Sequence, residues 1–417
     1  MSEFRILSLD GGGSWALIQV RTLIEIYTRT MGRPAHEIRG HDVLRKFDFV
    51  AANSGGTLTL AGLLKNWTLA ELLEFFRDET KRRAIFAPAD IFDRLGDHVA
   101  RLLGLGIGPK YSTKKKRAGL GQLLGAEGGV PLTAWPGRVG QNHAGRLPQF
   151  LFCALNYDTR RATFMRSDHE SRAASLAPHP AMTLIDAVHA SANPPVNLFD
   201  LPAVAGAGAD ANRFWDGAIA GHNNPVMAAV IETLANAARY GTSRAEIKAL
   251  SLGTGTNVLP LPKGPVAPSD AVLYADVDKP KLFTDVKKLA LAIMGDPPDA
   301  ATFHAHMLLE GRLPNPGDTT PFPSPVLRMN PLIQPVRPNG KWQLPDGYTP
   351  ARFKQLRDLD MDGITREEVV LIDEFCDRWI EGAIPNQPVR PNGETSTPNI
   401  GHAWFAPALA EALRDFG

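Results

Sequence analysis

Cysteine is scarce in this chain, with only Cys153 and Cys376 among 417 residues, each inside an apolar run. Two cysteines cannot form the disulfide framework of a small secreted protein, so we expect buried free thiols and a reducing compartment. No apolar run reaches the roughly 20 residues that a membrane-spanning helix needs. The N-terminus has no basic stretch and apolar core typical of a secretory signal. These absences together predict a cytoplasmic protein.

An excess of charge of one sign is also missing. Lys and Arg number 45 against 44 Asp and Glu, which leaves a net charge of +1. No global field therefore attracts nucleic acid or membrane, so we expect no nucleic-acid partner, and any membrane contact must come from a local patch. The composition, 44% hydrophobic and 21% charged, is typical of a globular protein with a large core. It does not indicate an oligomeric state.

The first 65 residues contain the sequence strand, tight turn, helix twice. Phe4 to Leu9 and Phe47 to Ala52 are apolar strand candidates, each followed by glycines and then by a helical pattern. The first helical pattern covers Trp15 to Met31, and the second follows Gly56 and extends through Leu64. Further strand candidates end near Leu155, Arg166, Asp216 and Leu252, with helices predicted at Leu184 to Ser191 and Pro225 to Tyr240. This alternation predicts an α/β fold with a mostly parallel central sheet between layers of helices.

The remaining segments are more helical. Leu69 to Leu105 is predicted to be a largely helical cap beside the site, and beyond Gly255 proline-rich stretches separate helices predicted at Leu282 to Met294 and Ala301 to Leu308. Val326 to Met329 is a strand candidate that could return to the sheet. Two amphipathic helices are predicted near the C-terminus, at Thr365 to Trp379 and Trp404 to Phe416. We therefore expect a catalytic core over residues 1–260, or to about 330, and an α-rich C-terminal extension over 261–417.

A glycine-rich turn, Asp10-Gly11-Gly12-Gly13, follows the first strand. Consecutive glycines before a helix allow backbone N–H groups to converge on an anion, as an oxyanion hole requires. A phosphate-binding loop is the first alternative, but the G-K-[ST] ending and the G-x-G-x-x-G pattern are absent. A plain tight turn is the second alternative.

A serine lies in the turn after the second strand, in Ala52-Asn53-Ser54-Gly55-Gly56. A nucleophile elbow needs small residues two positions before and after the serine, because its strained turn leaves no room for side chains. Ala52 stands where the usual motif has glycine. A structural turn is the alternative for this short pattern.

Asp216 ends a third strand candidate and is followed by Gly217. Asp-Gly after a strand is usually a turn. An aspartate can take a serine proton only if it lies close to the serine and burial raises its pKa above the free value near 3.9. Its neighbours Phe214 and Trp215 are compatible with such burial.

The order and content of these motifs resemble the patatin-like phospholipase family. The resemblance extends to further segments: A-S-A-N-P-P at Ala190 to Pro195, N-N-P at Asn223 to Pro225, S-L-G-T-G at Ser251 to Gly255 and, more loosely, V-L-R-M-N-P at Val326 to Pro331. It implies a three-layer α/β sandwich with no metal or cofactor. It also implies a hydrolase for acyl lipids or other carboxylic esters, with Ser54 as nucleophile, Asp216 as base and Gly11, Gly12 and Gly13 as the oxyanion hole.

The chain departs from the family pattern at two positions. Ala52 opens the elbow, and Trp15 follows Ser14 where the family commonly has Arg or Lys. Loss of that cation predicts less attraction for a phosphate head group. A second hypothesis is therefore a catalytically impaired lipid-binding or regulatory module.

Three other features have competing interpretations. His189 and His222 would be candidates for a Ser–His–Asp triad, although an α/β-hydrolase places its histidine well after the acid. Lys114 to Arg117 is either a solvated loop or a contact for anionic lipid head groups. Asp358, Asp360 and Asp362 resemble the start of a calcium loop, but Val369 occupies the twelfth position where glutamate belongs. Thr365 and Glu368 instead predict a helix capping box.

Overall fold

The computed structural model describes residues 3–89, 109–171, 182–195, 198–208, 211–276, 292, 297–315, 321–390 and 400–417. The strands and helices below belong to these ranges.

An eight-stranded sheet forms the centre of the molecule, in the order β5-β6-β3-β2-β1-β7-β9 with β4 paired to β3. Pairing is parallel through β3, β2, β1, β7 and β9, whereas β4 and β6 run antiparallel to β3 and β5 runs antiparallel to β6. The strands are β1 Phe4–Leu9, β2 Phe49–Ala52, β3 Gln149–Asn156, β4 Arg161–Arg166, β5 Ala203–Ala205, β6 Asn212–Asp216, β7 Ile247–Leu252, β8 Thr256–Asn257, β9 Val326–Met329 and β10 Leu332–Ile333. The short strands β8 and β10 pair separately.

Helices cover both faces of the sheet. They are α1 Leu17–Met31, α2 Gly40–Leu44, α3 Gly55–Leu64, α4 Leu69–Arg77, α5 Glu79–Ile85, α6 Thr113–Leu124, α7 Trp135–Val139, α8 Leu184–Ser191, α9 Val226–Ala235, α10 Ala237–Tyr240, α11 Pro297–Leu308, α12 Pro350–Asp358, α13 Arg366–Ile380 and α14 Phe405–Phe416. Two 3-10 turns, Gly13–Ala16 and Gly217–Ala220, follow β1 and β6. None of the helices in the described ranges is long and apolar enough to cross a membrane.

Alternation along the strands divides the core into two layers. In β1, Phe4 and Ile6 face one hydrophobic cluster while Leu7 and Leu9 face the other, as the period of two in a strand requires. The first cluster is completed by α9 and α11, and the second by helices that include α1, α3, α13 and α14. The expected α/β three-layer sandwich with a mostly parallel central sheet is therefore confirmed.

Most predicted elements lie within a few residues of their expected positions. The described part of Leu69 to Leu105 is largely helical, as expected, and contains α4 and α5, while residues 90–108 lie outside the described ranges. Two other expectations need correction. The helix predicted at Pro225 to Tyr240 is divided into α9 and α10 at Asn236. The Lys114 to Arg117 run lies in a helix, α6, and not in a loop. The predicted helix at Leu282 to Met294 falls almost wholly outside the described ranges.

The C-terminal part of the chain belongs to the same core as the first strands. Strand β9 pairs with β7 in the central sheet, and α14 packs against both α1 and β9. Phe375 of α13 and Phe416 of α14 are buried in the cluster that contains Leu9 and Ala52. The α-rich region after residue 330 therefore supports the layer of helices next to the β1–α1 and β2–α3 turns.

Candidate active site

Ser54 immediately precedes helix α3, in a backbone conformation that residues with side chains rarely adopt, with φ 47° and ψ −121°. Such a conformation costs about 1–3 kcal/mol and persists only where surrounding contacts enforce it. The Ser54 N–H donates to Oγ of Ser191 at 3.1 Å, and Thr57 donates its hydroxyl to the Ser54 carbonyl at 2.6 Å. The residue is 6% exposed. This is the sharp strand-to-helix turn that a nucleophile elbow requires.

Small residues surround Ser54 because backbone passes close on each side. A Cβ on Gly56 would overlap the carbonyl oxygen of Leu9, and one on Gly55 would overlap Gly13. Ala52, in contrast, ends β2 between Leu9 and Phe152 and is fully buried without displacing the elbow. The departure from glycine at this position is therefore accommodated within the sheet.

Asp216 ends β6 and is fully buried beside the elbow. Its Oδ1 accepts hydrogen bonds from Nδ2 of Asn53 at 3.0 Å and from N–H of Ala218 at 2.9 Å. Its N–H donates to the carbonyl of Asn193 at 3.1 Å. Gly217 lets the chain turn here, since a Cβ would overlap the Asn53 side-chain oxygen. Asn53 thus links the elbow directly to the carboxylate.

The second carboxylate oxygen of Asp216 is not used by Asn53 or Ala218. Oδ2 is buried and accepts no hydrogen bond of ordinary geometry within the described part of the chain, yet the Ser54 hydroxyl is close enough to lower the pKa of Asp216. Burial is the larger effect and raises that pKa above its ordinary value. A carboxylate with one oxygen fixed, the other open and a hydroxyl nearby can accept the proton of that hydroxyl.

The glycine loop after β1 lies against the elbow. The Gly11 N–H is engaged, because it donates to the carbonyl of Asn223 at 2.8 Å. The N–H groups of Gly12 and Gly13 donate to no acceptor among the described residues. Both have positive φ, 156° and 56°, so glycine is required there. Of the three predicted oxyanion donors, these two have free N–H groups.

A buried ion pair between Asp10 and Arg328 fixes the start of this loop. Oδ2 of Asp10 accepts from a guanidinium nitrogen of Arg328 in β9 at 2.7 Å, and Arg328 also donates to Oγ of Ser251 at 2.9 Å. Burial raises the pKa of Asp10 to about 6, although Arg328 opposes the rise. Sequence analysis did not single out Arg328, which lies in the loosest of the matching motifs.

A segment from the C-terminal region, Asp360 to Asp362, covers the other side of the glycine loop. The Ser14 N–H donates to the Met361 carbonyl at 3.1 Å, and the Ser14 hydroxyl donates to the Asp362 carbonyl at 2.5 Å. Trp15, which stands where the family has a cation, donates its indole N–H to the Asp360 carbonyl at 3.1 Å. It also packs edge-on against Phe375. Trp15 therefore fastens the loop to the C-terminal region.

The same segment is not arranged as a calcium loop. Nζ of Lys110 lies 2.8 Å from the Asp360 carboxylate and 3.3 Å from that of Asp362, which also accepts from the Tyr111 hydroxyl. Thr365 and Glu368 form the predicted capping box of α13. No group of three or more acidic, histidine or cysteine side chains that could hold a metal occurs within the described ranges.

Neither candidate histidine reaches the proposed dyad. His222 packs its ring edge-on against Phe164, with centroids 4.9 Å apart, and His189 is buried on α8 with its Nδ1 unpartnered. Burial lowers the pKa of both rings. In the part of the chain described, no histidine ring hydrogen-bonds to Ser54 or Asp216.

The chain is similar to several known proteins. A family model described as patatin-like phospholipase matches residues 7–230, which is more than half of the chain. Among solved structures, the chain is similar to VipD from Legionella pneumophila at 12% identity, over 90% of this chain and 67% of that chain, with a TM-score of 0.33. It is also similar to human GIVD cytosolic phospholipase A2 at 16% identity, over 40% of this chain and 22% of that chain, with a TM-score of 0.22. A search of curated proteins gives no match.

Proposed function

Because the chain belongs to the patatin-like phospholipase family, we propose that it is a serine acyl hydrolase that cleaves carboxylic esters of acyl lipids through a Ser54–Asp216 dyad. One observation carries this proposal. Ser54 has the strained backbone of a nucleophile elbow, and its hydroxyl is close enough to lower the pKa of Asp216, a buried aspartate with one open oxygen whose pKa burial raises. A lipid-ester hydrolase is the activity that the family itself implies.

In the first half of the reaction Ser54 Oγ attacks the ester carbonyl carbon while its proton passes to Oδ2 of Asp216. The carbonyl π electrons move to oxygen, and the N–H groups of Gly12 and Gly13 stabilise the resulting oxyanion. The intermediate then collapses and breaks the bond to the alcohol oxygen. That oxygen takes the proton from Asp216, which leaves an acyl-Ser54 ester and a free alcohol or lysolipid.

The second half repeats these steps with water. Asp216 accepts a proton from the attacking water, the second oxyanion forms at the same position, and its collapse releases Ser54 with the proton returned to Oγ. The fatty acid is the product. Each step uses one oxygen of the Asp216 carboxylate. Oδ2 is open for this purpose because Asn53 and Ala218 donate only to Oδ1.

The family membership supports a substrate class, and the contact between Arg328 and Asp10 supports an extent for the catalytic unit. We propose an acyl lipid or another carboxylic ester, with peripheral membrane contact where the lipid requires it. We also propose that the catalytic unit extends to about residue 330, since Arg328 holds Asp10. The two buried free cysteines favour a reducing, cytoplasmic setting.

Hydrolysis of p-nitrophenyl acyl esters tests the proposal. We expect Ser54→Ala to lower kcat by at least about 10³-fold, because the nucleophile is lost, while the exposed Ser269→Ala control retains wild-type activity. Comparable hydrolysis by a folded Ser54→Ala protein would contradict the assignment. A wild-type protein that binds acyl lipid but hydrolyses none of these esters would instead favour the lipid-binding module.

A further inference from the structure

Lys116 is a fully buried lysine on the face of α6 that points toward the site. Its ammonium donates to three acceptors: the carbonyl of His189 at 2.9 Å, the carbonyl of Ala192 at 2.7 Å and Oδ1 of Asn193 at 2.7 Å. The ring of Phe199 lies 4.5 Å from the nitrogen and adds a cation–π contact. Lys116 therefore has a complete set of partners without a carboxylate in ion-pair contact.

The three acceptors around the Lys116 nitrogen indicate its protonation state. A neutral amine has two N–H donors and a lone pair, whereas an ammonium has three donors, and each of the three neighbours can only accept. Burial lowers the pKa of Lys116 well below its ordinary value, and the negative charges of Asp216 and Asp200 raise it. The three acceptors match the three donors of the charged form, and we infer that form for Lys116.

The groups that Lys116 binds are the end of a helix. The carbonyls of His189 and Ala192 lie in the last turn of α8 and just beyond it, where helix carbonyls lack internal partners and carry a partial negative charge. The same short stretch supplies both supports of the dyad. Ser191 accepts the N–H of Ser54 through its hydroxyl, and Asn193 accepts the N–H of Asp216 through its carbonyl.

We propose that Lys116 is a positioning residue for this reaction: its buried ammonium fixes the end of α8 that holds Ser54 and Asp216, and its charge keeps Asp216 ionised as a base. The inference rests on the proposed function and deepens it. It assigns to the buried Lys116 ammonium the role of keeping the Ser54–Asp216 dyad in the protonation state that catalysis needs.

Several other charged or titratable groups lie around Lys116 and Asp216. Asp200 follows the same turn, His189 and Asp186 belong to α8, Arg117 neighbours Lys116 on α6, and Cys153 lies on β3. Arg117 is paired with Asp186 at 2.8 Å, and both His189 and the Cys153 thiol are held neutral by burial, which lowers the pKa of the first and raises that of the second. Among the described groups, Lys116 is thus the cation that lowers the pKa of Asp216, after the hydrogen bonds to that carboxyl.

The pH profile of kcat/KM distinguishes this role from simple packing. Lys116→Met keeps the length and apolar stem of the side chain but removes its charge, so the pKa of Asp216 should rise. We expect the acidic limb to move upward by about one pH unit, and kcat to fall about tenfold or more while KM changes less than about threefold. Lys114→Met, on the exposed side of the same helix, is the matched control and should leave the profile unchanged.

The results separate the two proposals. Hydrolysis must first be present in the wild type and in Lys114→Met, and its absence from both would contradict the proposed function. With hydrolysis present, a folded Lys116→Met enzyme whose acidic limb stays in place would overturn the inference, whatever its kcat. If Lys116→Met does not fold, Lys116→Arg decides: the retained charge should hold the limb within about 0.3 pH unit of wild type. An upward shift as large as one unit there would contradict the proposal.

Discussion

At the scale of single residues, Asp216 is placed where an ionised carboxylate lowers stability. It is completely buried, and the effect of burial on its pKa exceeds that of its hydrogen bonds to Asn53 and Ala218. A protein would avoid this arrangement for structure alone, since a turn aspartate at the surface serves as well. Loss of stability at a site with a chemical task is typical of active sites.

The substitution Asp216→Asn should therefore abolish hydrolysis and stabilise the fold. The amide oxygen can still accept from Asn53 and Ala218, but the residue can no longer accept the serine proton or carry a buried charge. We expect a free energy of unfolding about 1–2 kcal/mol larger than wild type near pH 8.

The pH dependence of that difference follows from the sign of the shift. The folded-state pKa of Asp216 is raised, so the wild type loses stability as pH rises from the unfolded value, about 3.9, through the folded one. The advantage of Asp216→Asn should accordingly vanish at low pH and reach a plateau above the folded pKa. Urea unfolding across pH measures it, and a variant less stable than wild type at every pH would contradict this account.

Local patterns in the sequence indicate the residues of the candidate site but not all of their supports. Ser54 and the glycines are recognisable because an elbow and an anion-binding turn require small residues at fixed positions. Lys116 was missed because four consecutive charges indicate solvent exposure. On a helix, however, successive residues point about 100° apart, so one member of such a run can face the core.

At the scale of elements, the glycine loop is held between two segments distant in sequence. Arg328 of β9 holds Asp10 on one side, and the carbonyls of Asp360, Met361 and Asp362 accept from Ser14 and Trp15 on the other. Such clamping suits the proposed oxyanion hole, whose N–H groups must keep a fixed direction before the substrate arrives.

The acidic segment before α13 should be indifferent to calcium. The Asp362 carboxylate already accepts from Lys110 and Tyr111, and Asp360 pairs with Lys110. We expect ester hydrolysis and Tm to be unchanged, within about 1 °C, after EDTA treatment and after addition of millimolar Ca²⁺, a range in which weak loops of this type bind. A Tm that falls with EDTA and recovers with calcium would show that the carboxylates bind metal in place of Lys110.

The capping box was predictable and the docking of its segment was not. Thr365 and Glu368 interact three residues apart, so their spacing alone indicates a helix start. The contacts of Asp360 to Asp362 join residues about 350 positions away through backbone carbonyls, and a carbonyl leaves no mark in the sequence. The sequence at Trp15 shows only that the Arg or Lys common in the family pattern is missing there.

At the scale of the whole molecule, the parallel part of the sheet followed from the repeated order of strand, turn and helix. The antiparallel pairing of β4, β5 and β6 did not, because the apolar pattern that indicates β4 and β6 as strands carries no direction, and β5 has only three residues. Strand β6 nevertheless places Asp216 opposite Ala154, two residues beyond the Phe152 that pairs with Ala52. The antiparallel direction of β6 therefore brings Asp216 level with the turn that contains Ser54.

The central claim is that Ser54 is a nucleophile activated by Asp216, and covalent labelling tests it most directly. A fluorophosphonate should add one phosphonyl group to the intact wild-type protein, with mass spectrometry locating it on the peptide that contains Ser54. Ser54→Ala should remain unlabelled, and Asp216→Asn should label at least about 10²-fold more slowly because the base is absent. Labelling of Asp216→Asn at the wild-type rate, or modification of a different serine, would contradict the dyad.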